Sequence, residues 1–254
     1  CDETSICLME NSSIVEHITF SQEIHKIHGG VVPELASRSH LEKIQIMTNE
    51  LFSRKNIDPN EIDVFSATCG PGLIGSLLVG STFTKSLAIS FQKPFIPINH
   101  LEGHILSTSF NNDIKFPSVV LLLTGGHTQV YLMKDEHNIE LLGQSVDDAI
   151  GEAFDKTAKL IGLSYPGGAE IEREAVRGDE NRFILPKPLA KEKNFNFSFS
   201  GIKTHINILT KKNKIDKKFI QDLSASFQKN ISDLLIEKIE KGLERLKSYK
   251  VNVK

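Results

Sequence analysis

The sequence predicts an α/β fold in two lobes, and three patterns carry that prediction. A strand–turn–strand unit near the start, Ile6 to Glu10 and Ile14 to Phe20 around Asn11-Ser12-Ser13, is matched by a second unit further on. The second runs from Val119 to Leu123, through Thr124-Gly125-Gly126-His127-Thr128, and on from Gln129 to Met133. Each unit is followed by mixed helical and strand segments, and the pattern restarts after Pro117. The lobes are therefore placed at residues 1–116 and 117–254, a length that suffices for two medium domains.

Composition narrows the classes. Apolar residues make up 39% and charged residues 24%, the balance of an ordinary globular chain. A net charge of −2 argues neither for nor against a nucleic-acid partner. Cys1, Cys7 and Cys69 are odd in number and lack metal-type spacing, so a reducing compartment is expected. No apolar run approaches the ~20 residues of a membrane span, and no signal-peptide pattern is present. The start at Cys1-Asp2-Glu3-Thr4 lacks a Met and is expected to be a first strand cut short. At the other end, Tyr249 to Lys254 resembles entry into a strand, so a missing C-terminal portion is expected too.

Taken in order, the opening hairpin carries Asp2, Glu3, Thr4 and Ser5 at its base, and Gly29-Gly30 breaks the pattern. Leu35, Leu41, Ile44, Met47 and Leu51 then predict a helix from Glu34 to about Lys55. Asp58-Pro59-Asn60-Glu61 is a turn signal, followed by a buried strand over Ile62 to Thr68. Cys69-Gly70-Pro71-Gly72-Leu73-Ile74-Gly75-Ser76 is a glycine-rich turn opening a helix to about Phe91. It lets backbone approach a ligand, or it packs helix tightly on strand. It is not a P-loop, because the Lys-Ser/Thr signature is missing at the required offset. Phe95 to Ile98 is a short strand leading into Asn99-His100-Leu101-Glu102-Gly103-His104.

Two histidines four apart at a helix start lie on one face and can reach one transition-metal ion, zinc or iron by donor type. A chance pair among nine histidines has the same spacing. Further on, Asp147 to Lys156 is expected to be an acid-rich helix start with Asp148, Glu152 and Asp155 on one face. Such acids are either a solvated face or neighbours of a ligand or cation. Tyr165-Pro166-Gly167-Gly168 is a tight turn with amides available to a ligand. Phe195, Phe197 and Phe199 alternate with Asn196 and Ser198, which predicts a strand with one aromatic face. Residues 187–218 hold nine lysines against Glu192 and Asp216, a local charge of +7 (nine minus two). This is a footprint for phosphate backbone or a solvated lysine face. A long amphipathic helix runs from Lys218 to about Lys247 on Ile220, Leu223, Phe227, Ile231, Leu234 and Leu235.

Duplicated hairpin-led lobes suggest the actin, Hsp70 and sugar-kinase (ASKHA) architecture, with the second lobe incomplete. Seven ordered blocks then resemble one family, the bacterial or mitochondrial tRNA N6-adenosine threonylcarbamoyltransferases (TsaD, formerly Gcp). They are CDET at Cys1 to Thr4, GGVVPELASRSH at Gly29 to His40, GPGLIGSLLVG at Gly70 to Gly80, NHLEGH at Asn99 to His104, and TGGHTQ at Thr124 to Gln129. DDAIGEAFDKTAKLIGLSYPGG at Asp147 to Gly168 and FSFSGIKT at Phe197 to Thr204 complete the set.

The resemblance implies transfer of a threonylcarbamoyl group from threonylcarbamoyl-AMP to N6 of the adenosine beside the anticodon, in tRNAs reading codons that begin with A. It implies one iron or zinc ion held by His100 and His104. It implies that Leu122, Leu123, Thr124, Gly125, Gly126, Asp155, Gly168 and Glu172 hold the adenylate. Asp2 and Glu3 would be the catalytic acid pair, with Asp2 preferred. A cytoplasmic or mitochondrial location is implied, with no membrane, and for the bacterial type a paralogous subunit and a small ATPase as partners. The family's third ligand, an aspartate, and a substrate-site asparagine come from a C-terminal region not present here, so these 254 residues are expected to be inactive alone.

Three rivals stand beside this. A metallopeptidase needs its glutamate directly after the first histidine, whereas Glu102 lies two positions on, about 200° around the helix from His100. A phosphoryl-transfer member of the fold group needs carboxylates and Mg²⁺ rather than a histidine pair. A non-catalytic partner paralogue should lack the pair.

Overall fold

A computed structural model of the chain describes residues 2–11, 13–110 and 113–248. It is an α/β protein with small sheets, and it divides into two compact units, Cys1–Ser107 and Thr108–Lys254.

In the first unit β1 (Glu3–Glu10) and β2 (Ser13–Ser21) form an antiparallel hairpin. The strand therefore takes in the acidic residue Glu3 that the sequence placed at the hairpin's base. A one-turn helix α1 (Ile24–His28) and the Gly29-Gly30 break precede α2 (Pro33–Lys55). Both glycines have positive φ, which favours residues without a side chain. Ala36, His40, Ile44, Met47 and Leu51 are the buried stripe of α2, at the three- and four-residue spacing of one helical face. β3 (Phe65–Gly70) and β4 (Phe95–Asn99) pair in parallel, connected through α3 (Ile74–Ser90). The buried strand expected from Ile62 begins three residues later. Pro59 to Glu61 form a 3₁₀ turn that uses up the preceding backbone, and within β3 only Phe65 is buried. α3 is apolar along most of its length, yet only Ala88 is buried, and Ile74, Leu78 and Ile89 are exposed. The unit ends on α4 (His100–Leu106).

The second unit opens on β5 (Ser118–Leu123) and β6 (Thr128–Asp135), to which β7 (Asn138–Gln144) adds a third antiparallel strand. Four helices follow: α5 (Ile150–Leu160), α6 (Gly167–Ala175), α7 (Ser200–Lys212) and α8 (Lys217–Ser248). Their core includes Val130, Ile150, Ile171, Phe197, Phe199, Ile202, Ile206, Leu223, Phe227 and Leu234. No helix among the described residues is long and apolar enough to cross a membrane. The expected terminal strand at 249–254 lies outside the described residues.

The aromatic strand at 195–199 is not a strand. Only one isolated bridge, Ser145 to Phe197, joins it to the neighbouring chain. All three rings are buried, Phe197 and Phe199 stack at 6.2 Å, and Phe195 sits where a β-carbon on Gly143 or Gly242 would collide with it. The backbone donors that would have continued a ladder, Phe199 and Ser200 N–H, go to the Asp147 carboxylate instead. That opens α7, a helix the alternating pattern concealed.

The loop before these rings is held by α8. The Lys238 side chain is wholly buried, and its ammonium donates to the carbonyls of Leu189 (3.2 Å) and Glu192 (3.1 Å) and to Asn194 Oδ1 (2.8 Å). Burial pulls this ammonium below the ordinary lysine value, against the attraction of Glu192. Three acceptors thus match three donors, which is how a buried cation is tolerated. Lys238→Met keeps the stem and strands the acceptors. It is expected to cost about 2–4 kcal/mol in urea unfolding followed by far-UV circular dichroism, and an unchanged midpoint would show that the loop finds other partners.

Candidate active site

In the first unit the histidine pair is set by a cap. Asn99 Oδ1 accepts from Leu101 N–H (2.9 Å) and Glu102 N–H (3.3 Å), starting α4 at His100. One turn separates the imidazoles, whose ring centroids lie 4.5 Å apart at an interplanar angle of 70°. His100 is half-buried and His104 exposed. Two imidazoles this close have the donor type and proximity to share a zinc or iron ion. Among the described residues no group of three His, Cys, Asp or Glu side chains could hold an ion.

Asp2 and Glu3 are exposed at the start of β1. The Asp2 carbonyl accepts from Gln22 N–H (2.8 Å), and Glu3 Oε1 accepts from the Ser21 hydroxyl (3.0 Å).

In the second unit, the β5–β6 turn and the starts of α5 and α6 form one connected arrangement. Leu122 is buried and Leu123 exposed at the end of β5. Thr124 closes the turn: its N–H donates to the His127 carbonyl (2.9 Å) and its hydroxyl accepts from His127 N–H (3.0 Å). Gly125 and Gly126 are exposed at the tip. The Thr128 hydroxyl accepts from Ile150 N–H (2.8 Å), fixing the start of α5 beside the turn. Asp155, on the second turn of α5, accepts the Gly167 N–H that opens α6 (2.7 Å). Gly168 is the second residue of α6, and Glu172, four further along the same face, is exposed.

Two glycines make this contact possible: Gly151, which sequence reasoning did not single out, and Gly167 of the expected turn, whose amide goes to Asp155 rather than remaining available to a ligand. A β-carbon on Gly151 would lie 2.6 Å from Gly125 Cα, and one on Gly167 would lie 2.8 Å from Asp155 Cα. The only signal of Gly151 in the sequence is a glycine at an unfavourable helical position.

The acidic group differs from expectation. α5 begins at Ile150, so Asp147 and Asp148 lie before the helix and share no helical face with Glu152 and Asp155. Lys156 pairs with both Asp148 and Glu152, and so supplies the neighbouring cation from within the chain. Asp147 turns elsewhere: its carboxylate accepts from the Ser198 hydroxyl (2.6 Å), Phe199 N–H (2.8 Å), the Ser200 hydroxyl (2.7 Å) and Ser200 N–H (3.3 Å). Burial pushes this carboxyl up, but the hydrogen bonds outweigh it and hold the group below the usual aspartate range. The basic segment is also partly spent internally. Lys187 pairs with Asp233 and Glu237, and Lys218 with Asp222, whereas Lys211, Lys212 and Lys214 are exposed at the end of α7 and beyond.

A histidine pair capped at a helix start and a glycine turn braced by the start of α5 are features of ligand-binding sites, and such sites rather than the fold define a class of enzyme. Comparison with known proteins gives the family. The family described as TsaD, tRNA N6-adenosine threonylcarbamoyltransferase, matches residues 13–254. A protein of that name from Fervidobacterium nodosum is 46% identical over 249 residues, covering 95% of this chain and 74% of the relative. Those from Thermosipho africanus and Pelagibacter ubique are 44% and 45% identical, each covering 97% of this chain and, respectively, 75% and 71% of the relative. The chain belongs to the tRNA N6-adenosine threonylcarbamoyltransferase family. Among solved structures, YeaZ from Pseudomonas aeruginosa is similar at a TM-score of 0.37 and 12% identity, over 55% of this chain and 59% of that one, too slight a likeness to bear on the fold.

Two outcomes follow from the geometry. Gly151→Ala forces apart α5 and the turn and is expected to lose about 1–3 kcal/mol in urea unfolding. Gly125→Ala, with nothing within 4 Å of the added carbon, is expected to lose much less; equal losses would refute the close-approach account. For Asp147, the stabilisation is complete above the unfolded-chain value near 3.8 and is lost as pH falls through the lower folded-state value. The stability gap between the parent and Asp147→Ala is therefore expected to be about 1–3 kcal/mol at pH 7 and to shrink towards pH 3. A gap independent of pH would show that the carboxylate's charge plays no part.

Proposed function

We propose that this chain carries the transfer step of its family, moving a threonylcarbamoyl group from threonylcarbamoyl-AMP to N6 of the adenosine beside the anticodon, in tRNAs reading codons that begin with A. The observation that carries this reading is the family match over residues 13–254, within which the capped histidine pair and the braced glycine turn fall. An ASKHA-type fold of two lobes is part of the same proposal.

The reaction joins the adenine N6 to the carbamoyl carbonyl carbon, breaks that carbon's bond to the phosphate oxygen, and releases AMP and one proton. His100 and His104 would contribute two nitrogen ligands to an iron or zinc ion, which when bound supplies Lewis acidity. The rest falls to side chains and amides of the chain itself. In the turn closed by Thr124, the Gly125 and Gly126 amides, with the α6 start at Gly168, are assigned to the nucleotide phosphate, which would favour both its binding and its departure. Leu122 and Leu123 flank that turn. Asp155 and Glu172 are assigned to the nucleoside, with Asp155 already orienting the α6 start through Gly167. Asp2, with Glu3 beside it, is assigned as acceptor of the proton that N6 gives up.

For partners, the exposed Lys211, Lys212 and Lys214 support a phosphate-backbone contact with tRNA. The exposed apolar residues Ile74, Leu78 and Ile89 of α3 support a protein partner, proposed to be a paralogous subunit acting with a small ATPase. The proposed location is the cytoplasm, or the mitochondrion for an organellar member.

His100→Ala and His104→Ala, made in the full-length protein, are each expected to reduce bound metal, read by elemental analysis, and to slow single-turnover transfer by about 100-fold or more. Asn99→Ala should weaken metal retention less, because it loosens the helix start by about 1 kcal/mol without removing a ligand. Transfer at the parent rate by a metal-free His100→Ala protein would overturn this reading.

A further inference from the structure

Beneath Asp2 and Glu3 lies a buried polar cluster that the transfer reading does not use. Thr4, Gln22, His25 and His40 come from β1, the turn after β2, α1 and α2, and each is more than nine-tenths buried. One backbone donor settles the direction of every hydrogen bond among them. Val32 N–H can only donate, and its acceptor is His25 Nδ1 at 3.3 Å, so the His25 proton sits on Nε2. His25 Nε2 then donates to Gln22 Oε1 at 2.8 Å. That orients the amide, so that Gln22 Nε2 donates to the Ala36 carbonyl and to His40 Nδ1, both at 3.4 Å. His40 Nδ1 is thus an acceptor, and it takes the Thr4 hydroxyl proton at 2.7 Å. Burial foremost holds the His40 imidazole below its ordinary value of 6.5, in keeping with the neutral ring that this chain of bonds requires.

The cluster ends on the acid pair. Gln22 N–H holds the Asp2 carbonyl and His40 holds the Thr4 side chain, so the backbone is pinned on both sides of Glu3. The single lone pair of His40 Nδ1 is shared, closely with the Thr4 hydroxyl and weakly with Gln22 Nε2, and a buried polar network of this kind restricts the arrangement more than an apolar cluster of the same volume. We propose that Gln22 and His40 are positioning residues that fix the Asp2-Glu3 backbone for transfer, a role that rests on the acid pair serving that reaction.

The test is single-turnover transfer from threonylcarbamoyl-AMP to tRNA by the full-length protein with its metal and partner proteins. Thr4→Val and His40→Leu are expected to lower kcat by about 10- to 100-fold, with KM for both substrates within about twofold. Thr4→Ser should restore the rate, since it keeps the donor. In an Asp2→Ala, Glu3→Ala background, Thr4→Val and His40→Leu should cost nothing further. If His40→Leu does not fold, Thr4→Val against Thr4→Ser decides alone. An undiminished kcat in Thr4→Val, or the same fractional loss in the acid-pair background, overturns positioning. An acid-pair variant that transfers at the parent rate overturns instead the assignment of the pair itself. Imidazole ¹⁵N spectra give a readout independent of activity: His25 and His40 are expected as neutral Nε2–H tautomers, and a charged or Nδ1–H His40 would overturn the network.

Discussion

Between Gly151 and the β5–β6 turn there is room for a hydrogen atom and nothing larger, since a β-carbon there would sit 2.6 Å from Gly125 Cα and 3.0 Å from the Thr124 carbonyl oxygen. Much of the second unit depends on that approach. With the helix start against the turn, the Thr128 hydroxyl can take Ile150 N–H, the Ser145 hydroxyl can donate to the Asp148 carbonyl, and Asp148 can reach Lys156. The same placement carries Asp155 to the start of α6, where Gly167 repeats the device with Asp155 Cα at 2.8 Å. A loop of polar amides is thereby fixed by contact with the α5 start as well as by its own Thr124–His127 hydrogen bonds, which suits a binding turn on a rigid scaffold.

Polar groups in this unit are satisfied across long stretches of sequence. Asp147 meets residues 198–200, Lys238 meets residues 189–194, and the Asn230 amide donates to the Leu185 carbonyl at 3.0 Å. The irregular stretch between α6 and α7 has few backbone partners of its own, so a buried path for it requires side chains from α8 and from the entry to α5. Apolar burial of Phe195, Phe197 and Phe199 is non-directional, so it does not by itself choose among the paths open to this stretch. The hydrogen bonds select among them.

This also explains which parts were legible in the sequence. α2 and α8 follow from apolar periodicity because each is long enough for one face to repeat several times, α3 follows from the glycine-rich turn that opens it, and β5 and β6 follow from an apolar run broken by Gly125-Gly126. The strand assigned to Phe195–Phe199 failed because alternation of two residue types looks the same whether backbone donors go to a neighbouring strand or to a carboxylate 51 or more residues away. The helix start placed at Asp147 failed for a related reason: Asp147 and Asp148 are favourable near a helix N-terminus in general, and these two serve another helix and a lysine. β7 carries no distinguishing pattern, since its burial is irregular. Of the site residues, the histidine pair was visible as a spacing and Gly167 as part of a turn, whereas Gly151 acquires meaning only from what lies opposite it. Thr4, Gln22, His25 and His40 are ordinary residues in four separate segments, and only their burial together marks them.

The histidine pair is the part of the proposed metal site that lies in one segment. Both nitrogens are on one helical turn, so the Asn99 cap that starts the helix also sets the distance between the rings. Neutral imidazoles bring no charge, so in the proposed site a divalent ion held by them alone would keep its full positive charge. Such an ion favours anionic and carbonyl oxygens in its remaining positions, which a threonylcarbamoyl phosphate anhydride possesses. A third ligand that was also neutral would leave that preference intact, while a carboxylate would weaken it and strengthen metal retention. In that proposal the ligand chemistry would balance holding the ion against leaving it electrophilic, with the two α4 histidines on the electrophilic side.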